Sequence, residues 1–259
     1  MSFSLLWLPD ALESAGLKVA PVEGWQIRGR GEMGPVLGVM CHTTVGPRNG
    51  NMPSLTVLIN GRSDLAGPLA QLGLGRDGTY YVIAAGRCNH AGKGDWRGID
   101  TGNTNFIGIE AENTGRADDP WPDVQMDAYR RGVAAILRRA NRTANDCVGH
   151  REYALPKGRK NDPAFDMVAF RSHVSSIIDG SVPPPILIPA QEPTNEGRPT
   201  LRRGARSDFV TDVQIKIGVT ADGEFGSVTE AAVRALQRSR GLVPDGIVGP
   251  KTWRLLDSQ

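Results

Sequence analysis

The chain has 259 residues, of which 39% are hydrophobic and 22% charged, and its formal net charge is +2. These values are typical of a globular protein in water, and the length suffices for one large domain and one small one. The nearly balanced charge excludes the strongly basic surface on which nucleic-acid binding usually depends, so we expect no nucleic-acid partner.

The N-terminal segment 1–20 predicts neither a secretory leader nor a membrane anchor. Its short apolar stretch has no basic region before it, and Pro9 and Asp10 interrupt it. We therefore expect a protein that is made in the cytoplasm without a signal peptide and has no membrane partner. The three cysteines, Cys41, Cys88 and Cys147, form no CxxC pair, and we expect buried, reduced thiols.

Apolar segments along 1–180 alternate between the patterns of strands and of helices. Strands are predicted at 36–44, 79–85, 106–113 and 147–150, and amphipathic helices at 124–142 and 163–179. Asp77-Gly78 is a turn signal and predicts a hairpin that leads into the second strand. These elements predict an α/β or α+β domain over 1–180 with one central sheet.

A proline-rich stretch, 181–197, predicts a semi-rigid linker. Beyond it, residues 198–259 contain an internal repeat in which Asp222-Gly223 and Asp245-Gly246 each precede a helical pattern. Three short helices without a cluster of titratable side chains predict a small all-α domain that binds rather than catalyses. The stretch 201–256, from LRRGARSDFV to PKTWRLL, resembles the peptidoglycan-binding domain found beside many cell-wall hydrolases.

Two of the four histidines end predicted strands. His42 closes the apolar run VLGVMCHTT, and His150 closes CVGH. Side chains at strand ends of a rigid sheet can converge on one point. Asp162 follows in the loop GRKNDPAFD, and two imidazoles with one carboxylate are the ligand set of an open catalytic zinc site. Each histidine alone is better explained by a structural role, whereas the three residues together favour a metal site.

Glu110 ends the strand FIGIE, where a carboxylate is costly to bury unless it is paired or used. Beside a zinc-activated water, such a carboxylate can act as general base and then as general acid. Glu112 is the alternative, because a regular strand places residues i and i+2 on one face. Lys160, two residues before Asp162, is either an oxyanion-stabilising cation or a solvated loop lysine.

The ordered motifs VMCHTT, GRDGTYY, NHAG, FIGIEAEN and VGHREY…KND, within 37–170, resemble the zinc N-acetylmuramoyl-L-alanine amidases of the amidase-2 family. That family also includes peptidoglycan recognition proteins. The resemblance implies an α/β fold with a mixed central sheet flanked by helices, and Zn2+ as cofactor. The implied site comprises three zinc ligands, two catalytic side chains and three substrate-groove residues: His42, His150 and Asp162; Glu110 and Lys160; Asn89, His90 and Ala91.

One departure from the family pattern concerns a tyrosine that many relatives carry near the metal, on the strand before the Asp-Gly turn. The corresponding place here is Leu69 to Gln71, so we assign no role to a tyrosine. An aspartate as third ligand, where some phage relatives have cysteine, resembles the bacterial muropeptide amidases.

Together the resemblances imply a monomeric hydrolase of bacterial peptidoglycan that cleaves the amide between N-acetylmuramic acid and the L-alanine of the stem peptide. They suit a phage or prophage endolysin, which waits in the cytoplasm and acts on the cell wall after release. Two alternatives stay open: a non-catalytic peptidoglycan-recognition protein and a muropeptide-recycling amidase. A wall-binding domain argues against the recycling enzyme, because soluble fragments need no anchor.

Overall fold

The computed structural model describes residues 3–182, 198–240 and 242–257. The chain forms two compact units, Met1–Leu187 and Ile188–Gln259. Except for residues 181 and 182, the predicted linker 181–197 lies outside the described residues, so the limits 1–180 and 198–259 stay predictions.

The first unit is organised around a mixed sheet. Its strands are β1 (Val19–Pro21), β2 (Gly38–Thr43), β3 (Gly61–Arg62), β4 (Leu65–Ala66), β5 (Leu72–Leu74), β6 (Tyr80–Val82), β7 (Phe106–Ala111) and β8 (Cys147–Gly149). Six of these form one sheet in the order β1-β6-β5-β7-β2-β8, and β3 pairs with β4 in a separate hairpin. Only the β5–β6 pair of the large sheet is antiparallel. The predicted mixed sheet is confirmed.

Helices cover this sheet. They are α1 (Leu8–Ser14), α2 (Leu55–Asn60), α3 (Gly102–Asn105), α4 (Asp123–Arg139), α5 (His150–Tyr153) and α6 (Met167–Ile178), with 3-10 turns at Trp25–Ile27 and Ala144–Asp146. α4 packs against α6, and an aromatic cluster fills the space beside them: Trp121, Tyr129, Phe165 and Phe170. Among the described residues, every helix is too short or too polar to span a bilayer.

Strands β2 and β7 lie at the centre of the large sheet. Every residue of β2 is buried, and in β7 only Glu110 is partly exposed. Strands covered on both faces are continuously apolar, which is why VLGVMC and FIGI signal these strands so clearly. The parallel register pairs His42 directly with Glu110.

Helix α6 begins later than its sequence pattern predicts. The sequence pattern predicts Pro163 in the first turn. The helix instead starts at Met167, because the Asp166 side chain accepts hydrogen bonds from the N–H groups of Val168 (2.8 Å) and Ala169 (3.1 Å). This N-cap satisfies two of the four N–H groups that a helix leaves unpaired at its start. Residues 163–165 therefore belong to the loop that carries Asp162.

The second unit contains α7 (Asp208–Ile217), α8 (Ser227–Ser239) and α9 (Pro250–Asp257), as predicted for a small all-α domain. Its internal repeat is built on two buried glutamines. Gln214 binds Asp222 (2.7 Å) and Thr229 (3.0 Å), and the equivalent set is Gln237, Asp245 and Thr252. Each glutamine also accepts the N–H of the glycine after its aspartate, at 2.9 Å. The two Asp-Gly turns are thereby locked to the helices.

A buried tyrosine from α4 holds the end of β2. The His42 N–H donates to Tyr129 Oη (2.9 Å), which lies 3.1 Å from the carbonyl oxygens of His42 and Ile109. Tyr129 is fully buried. Its hydroxyl therefore joins α4 to the two strands that carry His42 and Glu110.

We predict that Tyr129→Phe lowers the free energy of unfolding of the first unit by about 1–3 kcal/mol, because it leaves the His42 N–H buried without a partner. Tyr80→Phe is the matched control: Tyr80 is equally buried, but its hydroxyl donates to the carbonyl of Ala128 (3.1 Å), which also accepts a helix N–H. Urea unfolding of the full chain measures both. Equal losses would contradict the assigned role of Tyr129.

Candidate metal centre and active site

The candidate site lies at the carboxyl ends of three neighbouring parallel strands. His42 is near the end of β2, Glu110 is beside it on β7, and His150 directly follows β8. Asp162 approaches from the loop between α5 and α6. Parallel sheets place their ligands at this edge, because side chains from adjacent strand ends meet there.

Three ligand-type atoms converge at this edge. His42 Nδ1 lies 3.0 Å from His150 Nδ1, and Asp162 Oδ2 lies 3.4 Å from His42 Nδ1 and 3.3 Å from His150 Nδ1. Ligand atoms of a tetrahedral zinc site are separated by about 3.3 Å. The predicted trio His42, His150 and Asp162 is also the one group of three or more metal-binding side chains found among the described residues.

The hydrogen bonds behind these atoms support a cation site. His150 Nε2 lies 3.1 Å from the Ala91 carbonyl oxygen, which can only accept. His150 Nε2 therefore carries the proton of the neutral ring, and Nδ1 presents a lone pair toward a carboxylate. Lone pairs and a carboxylate oxygen this close together repel unless a proton or a metal cation lies between them, and two imidazole nitrogens with one carboxylate oxygen are a donor set that fits Zn2+.

The protonation states also suit a metal. Burial, and next the neighbouring His150, lower the pKa of His42 to about 4. Burial raises the pKa of Asp162, but its contacts with His150 and His42 outweigh this effect and hold that pKa well below its ordinary value. Neutral imidazole and ionised carboxylate are the forms that bind zinc.

Glu110 lies beside the trio without taking part in it. Its Oε1 is 3.8 Å from His42 Nδ1, and its side chain is 16% exposed. The buried Oε2 has no hydrogen-bond partner among the described residues. Burial, and next the charge of Asp162, raise the pKa of Glu110 to about 8. A carboxyl group with a strongly shifted pKa and one oxygen without a partner, beside a candidate metal site, is typical of a catalytic acid or base.

The charges of two further side chains reach Glu110. Lys160 and Arg62 each oppose the upward shift that burial causes in the pKa of Glu110. Lys160 is partly buried, and the exposed Arg62 on β3 forms an ion pair with Asp64 (3.0 Å). Lys160 is among the site residues predicted from the sequence, whereas Arg62 is not. Nothing in the sequence of a short hairpin indicates that its arginine lies near Glu110, 48 residues later.

Glu112 has a different environment from Glu110. β7 ends at Ala111, so Glu112 does not continue the strand alternation. Its carboxylate accepts hydrogen bonds from Thr44 Oγ1 (2.9 Å) and from Ser54 N (3.0 Å) and Oγ (3.0 Å). It anchors the loop that follows His42, and the choice of Glu110 over Glu112 as candidate base agrees with this geometry.

The predicted groove residues occupy the edge of the site. Asn89 is partly exposed and donates to the Ala66 carbonyl (2.9 Å), whereas His90 and Ala91 are buried. A role for the three in substrate binding stays a prediction. At the place of the family tyrosine, Gln71 is buried and its side chain accepts the Gly108 N–H of β7 (2.8 Å), so it stabilises the sheet.

Two family models match parts of this chain. Residues 32–165 match the family model described as N-acetylmuramoyl-L-alanine amidase, and residues 213–256 match a peptidoglycan binding domain. An uncharacterised protein of Kitasatospora aureofaciens is 43% identical over 68 residues, which are 24% of this chain and 58% of that protein. The zinc D-Ala-D-Ala carboxypeptidase of Streptomyces albus G is 37% identical over 62 residues, 21% of this chain and 24% of that enzyme. The chain thus spans little more than half the length of the first relative and about a quarter of the length of the second.

Two solved structures are similar to parts of the chain. A crystal structure of AmpD is 25% identical with a TM-score of 0.46, covering 61% of this chain and 93% of AmpD. The Escherichia coli amidase AmiD, in complex with its substrate, is 16% identical with a TM-score of 0.45, covering 89% and 90%. Since the amidase family model spans 134 of the 259 residues, 32 through 165, the chain belongs to the N-acetylmuramoyl-L-alanine amidase family.

Proposed function

We propose that this protein hydrolyses the amide between N-acetylmuramic acid and the L-alanine of the stem peptide in bacterial peptidoglycan. The observation that carries the proposal is the convergence of His42, His150 and Asp162 beside the unpaired carboxyl group of Glu110. Family membership supports the choice of bond. The candidate histidine ligands and the candidate base then lie at one edge of the sheet, and Lys160 and Asp162 belong to the loop between α5 and α6.

His42, His150 and Asp162 would hold Zn2+, which would supply the Lewis acidity that polarises an amide carbonyl and acidifies water. Glu110 supplies the proton transfers. Its carboxylate, whose Oε1 lies 3.8 Å from His42 Nδ1, would take a proton from the attacking water and return it to the departing amine of L-alanine. The charge of the bound cation would favour the ionised form of Glu110 that the first transfer needs. Lys160, whose charge acts on both His42 and Glu110, stabilises the negative charge that develops on the carbonyl oxygen.

The second unit adds a wall anchor. Its match to a peptidoglycan binding domain supports a role for 198–259 in holding the enzyme on the polymer. Two weak tethered sites bind an insoluble substrate more tightly than either alone, because the second contact becomes intramolecular. The combination suits an endolysin that acts on the cell wall after release from the cytoplasm. The trio and Glu110 come from one chain, so a single chain supplies all the side chains of the proposed site.

We predict that His150→Ala and Asp162→Ala each lose bound zinc and all measurable turnover, because an open zinc site with two protein ligands binds weakly. His173→Ala is the matched control, since His173 is exposed on α6 and contacts the Ala169 carbonyl (2.8 Å) away from the trio. Elemental analysis of the purified proteins gives zinc per chain. Stoichiometric zinc in His150→Ala would contradict the ligand assignment.

Glu110→Gln and Lys160→Met should keep zinc but lose turnover. We expect a loss of about 10²–10⁴-fold in kcat for Glu110→Gln from proton transfer and about 10²–10³-fold for Lys160→Met from charge stabilisation. Lys157→Met is the control, because Lys157 is an exposed lysine of the same loop. Dye release from labelled cell walls measures activity. Full activity of Lys160→Met would show that Lys160 is a solvated loop lysine without a role in catalysis.

The bond cleaved can be read from the products. Mass spectrometry of digested peptidoglycan should show intact glycan and stem peptides with new free L-alanine amino termini. New reducing sugars would identify a glycosidase. Binding to cell walls without new termini would identify a recognition protein, and turnover of soluble fragments alone would identify a recycling amidase.

A further inference from the structure

We propose that His90 is a positioning residue that holds His42 in the tautomer required for zinc binding, by accepting a hydrogen bond from His42 Nε2. His42 Nε2 lies 3.0 Å from His90 Nδ1, and the two rings meet edge to face at 89°. The inference rests on the proposed zinc site, because it concerns a ligand of that site. It gives His90 a role distinct from contact with substrate.

The bonding partners determine which nitrogen carries each proton. His90 Nε2 lies 3.2 Å from the carbonyl oxygen of Phe106, which can only accept, so His90 Nε2 carries a proton. His42 Nδ1 lies next to the ligand atoms of His150 and Asp162 and must keep its lone pair free for the metal. The proton of the neutral His42 ring is therefore on Nε2. His90 Nδ1 is the acceptor within reach of that proton. A single chain of hydrogen bonds thus runs from the β7 backbone to the metal ligand.

The packing around His90 leaves its ring little freedom. A Cβ atom on Gly108 would lie 2.7 Å from His90 Cγ and 2.9 Å from its Nδ1, so the ring lies directly on the glycine of β7. The N–H groups of His90 and Ala91 both donate to Asn103 Oδ1, at 2.8 Å and 2.7 Å. With the backbone held by Asn103 and the ring held against Gly108, His90 Nδ1 has a defined position.

The same short segment also orients the second imidazole ligand. The Ala91 carbonyl accepts from His150 Nε2 at 3.1 Å, so neighbouring residues 90 and 91 fix one zinc-binding histidine each. Groups that hydrogen-bond the outer nitrogen of a ligand histidine set its tautomer and ring orientation, and their loss costs about 10–100-fold in metal affinity. His90 is 8% exposed, which suits a supporting role better than direct contact with a large polymer.

The test compares His90→Asn with His90→Leu in the full chain. The two side chains have nearly the same shape, but only asparagine places an acceptor, Oδ1, about where Nδ1 of His90 lies. We expect His90→Leu to raise the zinc Kd by about 10–100-fold, and His90→Asn to recover most of that loss. Competition with a chromophoric zinc chelator gives the Kd, and circular dichroism confirms that each metal-free variant is folded.

Equal zinc affinities of the two variants, whether both normal or both weak, would overturn the role of His90 as an acceptor. A merely structural histidine predicts equal values, because the variants pack alike. Wild-type protein with no zinc affinity would overturn the metal site itself, and with it the role of His90. Wild-type zinc binding with normal zinc binding by His90→Leu would overturn the inference alone.

A second measurement does not depend on folding of the variants. Long-range 1H–15N spectra of the zinc-loaded wild-type protein, labelled in histidine, report which ring nitrogen carries each proton. We expect protons on Nε2 of His42 and on Nε2 of His90. A proton on Nδ1 of His90 would make His90 the donor toward His42 and would overturn the proposed bond.

A further variant, Gly108→Ala, displaces the His90 ring. We expect it to weaken zinc binding, as His90→Leu does.

Discussion

The parallel alignment of β2 with β7 and β8 is the constraint on which the site depends. It pairs His42 with Glu110 in register and sets Cys41 opposite Gly149, immediately before His150. Because side chains alternate across a sheet, a slip of one residue between β2 and β7 would turn Glu110 away from His42. Such a slip is costly because nearly every side chain of the two strands is packed in the interior and would have to pack against new neighbours on the opposite face.

Buried polar groups around this alignment are matched by specific partners. The Tyr129 hydroxyl accepts the His42 N–H, and Gln71 Oε1 accepts the Gly108 N–H. The Glu112 carboxylate accepts the Ser54 N–H and so anchors the loop after β2. Unpaired polar groups in a protein interior cost about 1–3 kcal/mol each, so these bonds keep the strand ends in one arrangement. Among the described residues, five buried side-chain atoms lack a hydrogen-bond partner, and Glu110 Oε2, beside the trio, is one of them. A carboxyl oxygen without a partner next to the candidate metal ligands is consistent with proton transfer there.

The second unit shows how the same kind of bond serves a structural purpose. Gln214 and Gln237 each bind an aspartate, a threonine and a turn N–H. The described part of that unit contains no cluster of three or more side chains that could hold a metal ion. The buried polar side chains of this unit stabilise its turns, whereas the candidate metal site belongs to the first unit. The separation of a candidate metal site from a unit that matches a peptidoglycan binding domain suits the proposed action on an insoluble polymer.

The sequence by itself determined the elements and their chemical content. Strand runs, Asp-Gly turns and the residue types His42, His150, Asp162 and Glu110 are local properties, readable because burial and turn geometry act on neighbouring residues. The resemblance to a family then assigned them roles. Only the tertiary structure decided which buried groups support them. His90, Tyr129 and Glu112 reach the site through strand order, helix packing and loop path, which depend on contacts between residues far apart in the chain.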